Sequence, residues 1–142
     1  MKESTTRVCE SGAIRDTGDG KLEVLGFNHP FLDFKFNEYM HRHRKMADGS
    51  LRDSDNWWGG FGKKVTIQSL CRHVEDLKLL HSGYFVYEFR EGSKAERKVF
   101  KEKLKELPKG YIEITIEECC CAIRFNSMAY MLDELKEQGI AK

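Results

Sequence analysis

The C-terminal part of the chain carries the feature that most constrains the fold, a long helical pattern. Thr115 and Glu118 are spaced as a capping box, which satisfies free N–H groups at the start of a helix. We predict a helix from this box to about residue 137. Apolar residues recur on one of its faces at helical spacing, namely Cys121, Phe125, Met128, Leu132 and Leu135.

Two further helices are predicted from the same kind of pattern. Pro30 is tolerated in a first helical turn, where its missing N–H costs nothing, and an aromatic-rich stretch follows it to about residue 44. Thr66 offers an N-cap for a helix over 67–81, which Gly83 would end. The apolar stripe of this helix, and so its expected buried face, comprises Ile67, Leu70, Cys71, Val74, Leu77 and His81.

The remaining segments give weaker patterns. The first 28 residues are predicted to be an irregular arm, and 41–64 a long loop whose paired tryptophans argue against disorder. Residues 84–90 and 98–101 favour a β-hairpin, with a charged helix over 93–107 as the competing interpretation. The patterns together predict a mainly α fold, with a helical-bundle core, an irregular N-terminal arm and a small β-hairpin insertion.

Length and composition exclude several classes of protein. A chain of 142 residues has the length of one domain, and we predict a single domain over 1–142. The net charge of +1 argues against broad binding to a nucleic-acid polymer. No apolar run is long enough for a membrane span, and the first residues lack the apolar core of a signal peptide. Five cysteines without CxxC spacing indicate a reducing compartment, so a cytoplasmic protein without a membrane partner is expected.

Polar side chains border the expected buried faces of the second and third helices. Carboxylate and carboxamide groups on facing helices can hold Mg²⁺ or Mn²⁺ between them. The alternative interpretation is that Glu118 only caps its helix and that Asp76 is solvated. The bordering residues are Ser69, His73, Asp76 and Leu80 on the second helix, and Glu118, Ala122, Asn126, Ala129 and Asp133 on the third.

The long loop carries a second set of candidate residues, suited to a phosphate group and an aromatic base. Arg and Lys side chains bind phosphate oxygens, an indole ring stacks on a base, and Asn can recognise a base edge or a ribose hydroxyl. The alternative is a solvated charge run with a tryptophan in the core. The candidates are Arg42, Arg44, Lys45, Arg52, Asp53, Ser54, Asp55, Asn56 and Trp57.

A weaker motif lies in the N-terminal arm. Its residues resemble a short phosphate clamp, but their spacing is not that of a Walker A loop. Lys21 is followed by Leu22, and Arg15 stands where the first glycine belongs. The motif comprises Arg15, Asp16, Gly20 and Lys21.

Four blocks of the chain, which cover about half of it, together resemble a known family. They read SGAIRDTGDGKL at 11–22, YMHRHRKMADGSLRDSDNWWGG at 39–60, SLCRHVEDLKLLHSGY at 69–84 and EECCCAIRFNSMAYMLDELK at 117–136. In this order they resemble a phage-associated group described as dATP/dGTP diphosphohydrolases, relatives of the MazG-like all-α nucleotide pyrophosphohydrolases. The resemblance fades over 85–114, which is therefore interpreted as a variable insertion.

The resemblance implies a homo-oligomer with a helical core that uses Mg²⁺ or Mn²⁺ to hydrolyse a phosphoanhydride of a purine deoxynucleotide. In the wider MazG-like pattern, ExxE on one helix and ExxD on the next hold the metal. That pattern is incomplete here, because Cys121 stands three residues after Glu118. The best matches to metal-binding positions are Asp76 and Glu118, with Glu75, Glu117 and Asp133 in reserve.

Two functions and a simpler alternative follow from these residues. In the first, Asp76 and Glu118 hold a divalent ion that bridges phosphate oxygens and activates water, and His73 completes the catalytic set. The second is a phage protein that sequesters a nucleotide immune signal without cleaving it, in the cytoplasm of an infected host. The third is a plain interaction domain. The expected nucleotide-binding residues are Arg15, Asp16, Lys21, Lys45, Arg52, Asp55, Asn56, Trp57 and Asn126.

Overall fold

A computed structural model describes residues 6–16 and 26–142 of the chain, which divides into two compact units, Met1–Phe34 and Lys35–Lys142. In the first unit, strands β1 (Thr6–Val8) and β2 (Ile14–Asp16) pair antiparallel. Gly12 closes the turn between them by donating its N–H to the Cys9 carbonyl over 2.8 Å. The prediction of an irregular arm over 1–28 is therefore wrong for these strands.

Two helices lie where their local signals place them. Helix α1 (Pro30–Arg42) begins at the proline and ends close to the predicted residue 44. Helix α3 (Ile116–Glu137) follows Thr115, whose side-chain oxygen accepts a hydrogen bond from the Glu118 N–H over 3.2 Å. Both predictions are confirmed, because an N-cap and a first-turn proline act on the backbone within one turn.

Helix α2 (Lys63–His81) begins three residues before the predicted N-cap. Thr66 lies inside the helix, buried, and its hydroxyl donates to the Lys63 carbonyl over 3.1 Å. The N-cap position is instead Gly62, which makes no side-chain capping bond and has a φ of 85°. The prediction of Thr66 as a cap was wrong because a threonine can also bond back to its own helix when it is packed inside the protein.

The face that α2 buries overlaps the predicted apolar stripe only at Leu70 and Leu77, which are half-buried. Ile67, Cys71 and Val74 are exposed, while Thr66 and Asp76 are buried. Helices α2 and α3 pack against each other, and the small residues Ala122 and Ala129 of α3 are buried. The sides of both helices that were predicted as polar borders are therefore largely covered, since Asp76, Asn126 and Ala129 are buried. The remaining members of the buried side of α2 are Ser69, Leu70, His73, Leu77 and Leu80, all half-buried.

A three-stranded antiparallel sheet follows α2. Its strands are β3 (Phe85–Glu91), β4 (Lys94–Phe100) and β5 (Tyr111–Ile114), in the order β4-β3-β5. Glu91 pairs with Lys94, so Gly92 and Ser93 form a two-residue turn in which Gly92 has a φ of 59°. The competing helix over 93–107 is wrong, because β4 pairs with β3 along its whole length.

The prediction of a mainly α, MazG-like bundle is wrong. Over 6–16 and 26–142 the chain forms three α-helices and five strands in two sheets, a mixed α/β architecture. The predicted hairpin insertion is the larger part of a sheet that contacts α2. Strand β5 was missed because four residues between Pro108 and the cap of α3 give too short an alternating pattern.

Helices α1 and α3 form the apolar core of the second unit. Phe36 and Tyr39 from α1 are buried together with Cys121 and Ala122 from α3. Met40, Phe125 and Met128 pack against this cluster and remain half-exposed. Among the described residues, no helix has the length and apolarity that crossing a membrane requires.

Candidate functional site

The segment after α1, predicted as a long loop, is a compact turn. The Arg52 N–H donates to the Arg44 carbonyl over 2.9 Å, and Lys45 and Leu51 form an isolated β-bridge. A short 3₁₀ helix, Asn56–Gly59, then leads to α2. These bonds hold the two ends of residues 44–52 together, so the basic residues of the segment have fixed positions.

Two arginines brace this turn. The Arg44 Nε donates to the Arg52 carbonyl over 2.7 Å, and the Arg52 Nη2 donates to the His43 carbonyl over 2.6 Å. Each guanidinium has five N–H donors and uses one of them here. In the part of the chain that the structure describes, neither arginine has a carboxylate within ion-pair distance. Both therefore keep donors available for an anion.

Beside these arginines lies a cleft of about 180 Å³ with aromatic walls. The rings of Trp57 and Phe125 meet edge to face with centroids 5.8 Å apart, and Phe61 meets Phe125 in the same way at 6.1 Å. The cleft thus joins flat apolar surfaces to a cationic rim. Its lining consists of Tyr39, Met40, His43, Arg44, Arg52, Asp53, Ser54, Asn56, Trp57, Phe61 and Phe125.

Two rings of the cleft lining pack against each other with centroids 4.2 Å apart. Tyr39 lies in the last turn of α1, and His43 follows the end of that helix. Burial raises the pKa of Tyr39 to about 12, with a smaller contribution from the Glu118 carboxylate. Desolvation lowers the pKa of His43. The Glu118 carboxylate raises this pKa, whereas the nearby Arg42 and Arg52 lower it. Near neutral pH both rings are therefore uncharged, as suits a surface that packs on an aromatic ligand.

The loop that carries the tryptophans is fastened to α3. The Lys136 ammonium donates to the Trp58 carbonyl. Gly60 follows with a φ of 86°, and a Cβ atom at this position would lie 2.7 Å from the Asp133 Oδ1. The positive φ favours glycine, whereas the close approach is to the end of the Asp133 side chain, which would have to shift for a larger residue.

Gly60→Ala is therefore expected to destabilise the fold by about 1–3 kcal/mol and to disturb the cleft wall. Gly59→Ala is the matched control, because Gly59 has no positive φ and no described atom lies within 4 Å of its Cβ position. Urea denaturation followed by tryptophan fluorescence measures both variants. Equal stability of the two would show that the Gly60 backbone is not constrained.

The predicted catalytic residue Asp76 lies on the buried side of α2 and is engaged with the sheet. Its side chain is 6% exposed, and the Arg97 Nε from β4 lies 2.9 Å from its Oδ1. The contact is an ion pair without hydrogen-bond geometry, so Asp76 Oδ1 accepts no hydrogen bond from the described residues. Burial raises the pKa of Asp76, while Arg97 acts in the opposite direction.

The other predicted acid–base and metal residues are not gathered around Asp76. Glu118 lies at the start of α3 with its Oε1 4.0 Å from an Arg42 nitrogen. The buried Asn126 amide donates to the Ala122 carbonyl of its own helix over 2.8 Å. His73 is half-buried, and desolvation together with Arg72 and Arg97 lowers its pKa. Across residues 6–16 and 26–142, no three His, Cys, Asp or Glu side chains converge as a metal site requires.

The reserve acids have other partners. Glu75 is 3.3 Å from an Arg97 nitrogen, Glu117 is 3.6 Å from the Lys35 ammonium, and Asp133 lies against Gly60. The acidic and histidine residues in the described part of the chain therefore do not fit a divalent-metal centre within a single chain. Of the predicted nucleotide-binding residues that the structure describes, only Arg52, Asn56 and Trp57 line the cleft.

The remaining nucleotide candidates lie elsewhere. Lys45 and Asp55 are exposed beside the cleft without lining it. Arg15 and Asp16 lie on β2 in the first unit, where Arg15 is exposed, and Lys21 is outside the described residues. Four further lining residues were not predicted from the sequence, namely Tyr39, His43, Phe61 and Phe125. The aromatic spacing of α1 and α3 was available, but it was read only as core.

Comparisons with protein-family models, with curated protein sequences and with solved structures give no match to this chain. What the cleft binds is therefore inferred from its own chemistry. That chemistry is a set of aromatic walls, two braced arginines and a group of small polar side chains.

Proposed function

We propose that this protein binds a purine nucleotide, with the base in the aromatic cleft and the phosphates on Arg44 and Arg52. The observation that carries the proposal is the pairing of aromatic walls with two positioned arginines that lack carboxylate partners among the described residues. Aromatic side chains stack on any base, and a guanidinium binds phosphate oxygens through two parallel hydrogen bonds.

The size of the cleft indicates which part of the nucleotide it holds. Pockets that enclose a whole drug-sized ligand are about 300–1,000 Å³, whereas this cleft is about 180 Å³. It suits a base, which leaves the sugar and phosphates at the open mouth beside the arginines. A nucleotide bound in this way keeps its phosphates near solvent, which is compatible with sequestration of the intact molecule.

The test is a panel of purine and pyrimidine nucleotides measured by thermal shift and calorimetry, with EDTA and with Mn²⁺. Binding in EDTA is expected, because the arginines bind phosphate without a metal. Ligand recovered after heat denaturation should be chemically intact. If no nucleotide raises the melting temperature under either condition, the proposal is wrong.

Hydrolysis of a purine (deoxy)nucleotide phosphoanhydride is the second candidate function. It is favoured by Asp76, a buried carboxylate with a raised pKa and an oxygen that accepts no hydrogen bond in the described part of the chain. Such groups are typical of proton-transfer sites. The requirement for Mg²⁺ or Mn²⁺ stays a prediction. Release of phosphate or pyrophosphate that Mn²⁺ supports and that Asp76→Asn or Glu118→Ala abolishes would favour this candidate over sequestration.

Self-association is part of the proposal. Ile67, Cys71 and Val74 form one apolar stripe on α2, and Ile67 and Val74 are 40% and 39% exposed. An apolar helix face at this spacing is suited to a second copy of the same helix. A cytoplasmic location is also proposed, and it agrees with five free cysteines.

Ile67→Lys and Val74→Lys are expected to convert the oligomer to a monomer, as measured by light scattering coupled to size-exclusion chromatography. Val65→Lys is the control, because Val65 is 55% exposed and lies about 160° around the helix from Ile67. A monomeric wild-type protein at micromolar concentration, or an equal effect of Val65→Lys, would contradict the proposed interface.

A further inference from the structure

The lining of the cleft includes three small polar side chains, Asp53, Ser54 and Asn56. The Asn56 N–H donates to the Asp53 carbonyl over 3.1 Å, which closes a turn immediately before Trp57. In the described residues, the side chains of these three make no hydrogen bond or ion pair with the protein. They are therefore available to a ligand held against the Trp57 ring.

The chemistry of Asp53 restricts what this ligand can be. A carboxylate only accepts hydrogen bonds, and its two oxygens match a pair of parallel N–H donors. Guanine offers such a pair on one edge, its N1–H and its N2 amino group. Adenine offers one amino group beside a bare ring nitrogen, which a carboxylate oxygen repels. Cytosine has the same arrangement as adenine, and uracil has a single N–H between two carbonyl groups.

We infer that Asp53 makes the cleft selective for guanine nucleotides. This inference rests on the proposed nucleotide binding and names the base. Asp53 also repels phosphate, so the phosphates must lie toward Arg44 and Arg52 and the base toward Asp53. A carboxylate in an anion-binding cleft lowers the affinity for every ligand except one that donates hydrogen bonds to it. In this way a binding site rejects the wrong ligand.

The experiment is a calorimetric comparison of GMP, IMP and AMP. Hypoxanthine keeps the N1–H of guanine and lacks the amino group, so the expected order of affinity is GMP, then IMP, then AMP. A bidentate contact of this kind gives about 10- to 100-fold discrimination between bases. Equal affinity for GMP and AMP would overturn the inference, and so would equal affinity for GMP and IMP.

Asp53→Asn supplies the decisive variant. An asparagine amide presents one donor and one acceptor, which match the ring nitrogen and amino group of adenine. The ratio of GMP to AMP affinity should therefore fall at least 10-fold and move toward AMP. Asp55→Asn is the matched control, since Asp55 is exposed outside the cleft, and it should keep the wild-type ratio.

The outcomes separate this inference from the proposed function. Nucleotide binding without a base preference, or a preference that Asp53→Asn leaves unchanged, overturns the role of Asp53 and keeps the cleft as a nucleotide site. If none of the three nucleotides binds, both the inference and the proposed function are wrong. Circular dichroism of both variants checks that the fold is retained.

Discussion

Arg52→Ala should lower the affinity for a nucleoside monophosphate by about 10- to 100-fold and leave the affinity for the corresponding nucleoside nearly unchanged. Charge-assisted hydrogen bonds contribute about 1.5–3 kcal/mol each, and this is the free energy that the variant removes from a phosphate. A nucleoside carries no phosphate and depends on the aromatic walls. Calorimetry with both ligands, at two salt concentrations, measures the difference.

The nucleoside also tests whether Arg52 acts only through the turn that it braces. The Arg52 guanidinium donates to the His43 carbonyl, so its loss could loosen the cleft. A loosened cleft would weaken the nucleoside and the nucleotide equally, and that result would contradict a direct phosphate contact. Arg72→Ala is the matched control, because Arg72 is exposed on α2 and, among the residues that the structure describes, its side chain bonds only to Ser69 of the same helix.

The elements that the sequence predicts well are those with local causes. Pro30 and the Thr115 cap fix helix starts through neighbouring backbone groups, and α1 and α3 begin where these residues lie. The hairpin of β3 and β4 was favoured for a similar reason, since aromatic and β-branched residues lie on both sides of 91–97. The turn itself is shorter than predicted, because β4 begins at Lys94. Each of these signals lies within a few residues of the structure it determines.

The buried face of α2 could not be read in the same way. Its apolar stripe is real, but the neighbours that cover a helix are set by tertiary contacts that sequence periodicity does not contain. Asp76 is buried and pairs with Arg97 of β4, which lies 21 positions along the chain, within the segment that the competing interpretation made helical. An acid that looks like a metal ligand is therefore a partner of the sheet.

The cleft was predicted in part. Arg52, Asn56 and Trp57 were expected as ligand-binding residues from their types alone, and all three line it. Phe125, whose ring contacts Trp57 in the cleft, was assigned to the core. A helix pattern cannot distinguish a ring packed in a core from a ring that faces a cleft at the edge of that core. Arg44 and Arg52 lie in a turn that is held by backbone hydrogen bonds, and composition does not reveal such bonds.

Arg97→Ala is expected to cost about 2–4 kcal/mol of stability at pH 7, because it leaves the Asp76 carboxylate buried without a counter-charge. Arg97 keeps 30% of its side chain exposed, which places the loss below that of a fully buried pair. Asp76→Asn removes the charge itself and should recover most of the stability in the double variant. Glu75→Gln breaks only the exposed contact to Arg97 and should change the stability by about 0.5 kcal/mol or less.

The pH dependence gives this prediction a second measurement with a definite sign. Burial raises the folded-state pKa of Asp76 above the ordinary value of 3.8. Between pH 3.8 and this raised pKa, Asp76 is more often protonated in the folded state than in the unfolded state. Its contribution to the stability therefore decreases as the pH rises through that window. Asp76→Asn lacks this contribution, so its stability relative to the wild type should increase from pH 4 toward pH 7.

Arg97→Ala should widen the window, because Arg97 lowers the pKa of Asp76. Urea denaturation at several pH values measures these differences in stability. If the stability lost in Arg97→Ala is independent of pH, or if Asp76→Asn does not recover it, Arg97 acts by packing and not through the Asp76 charge.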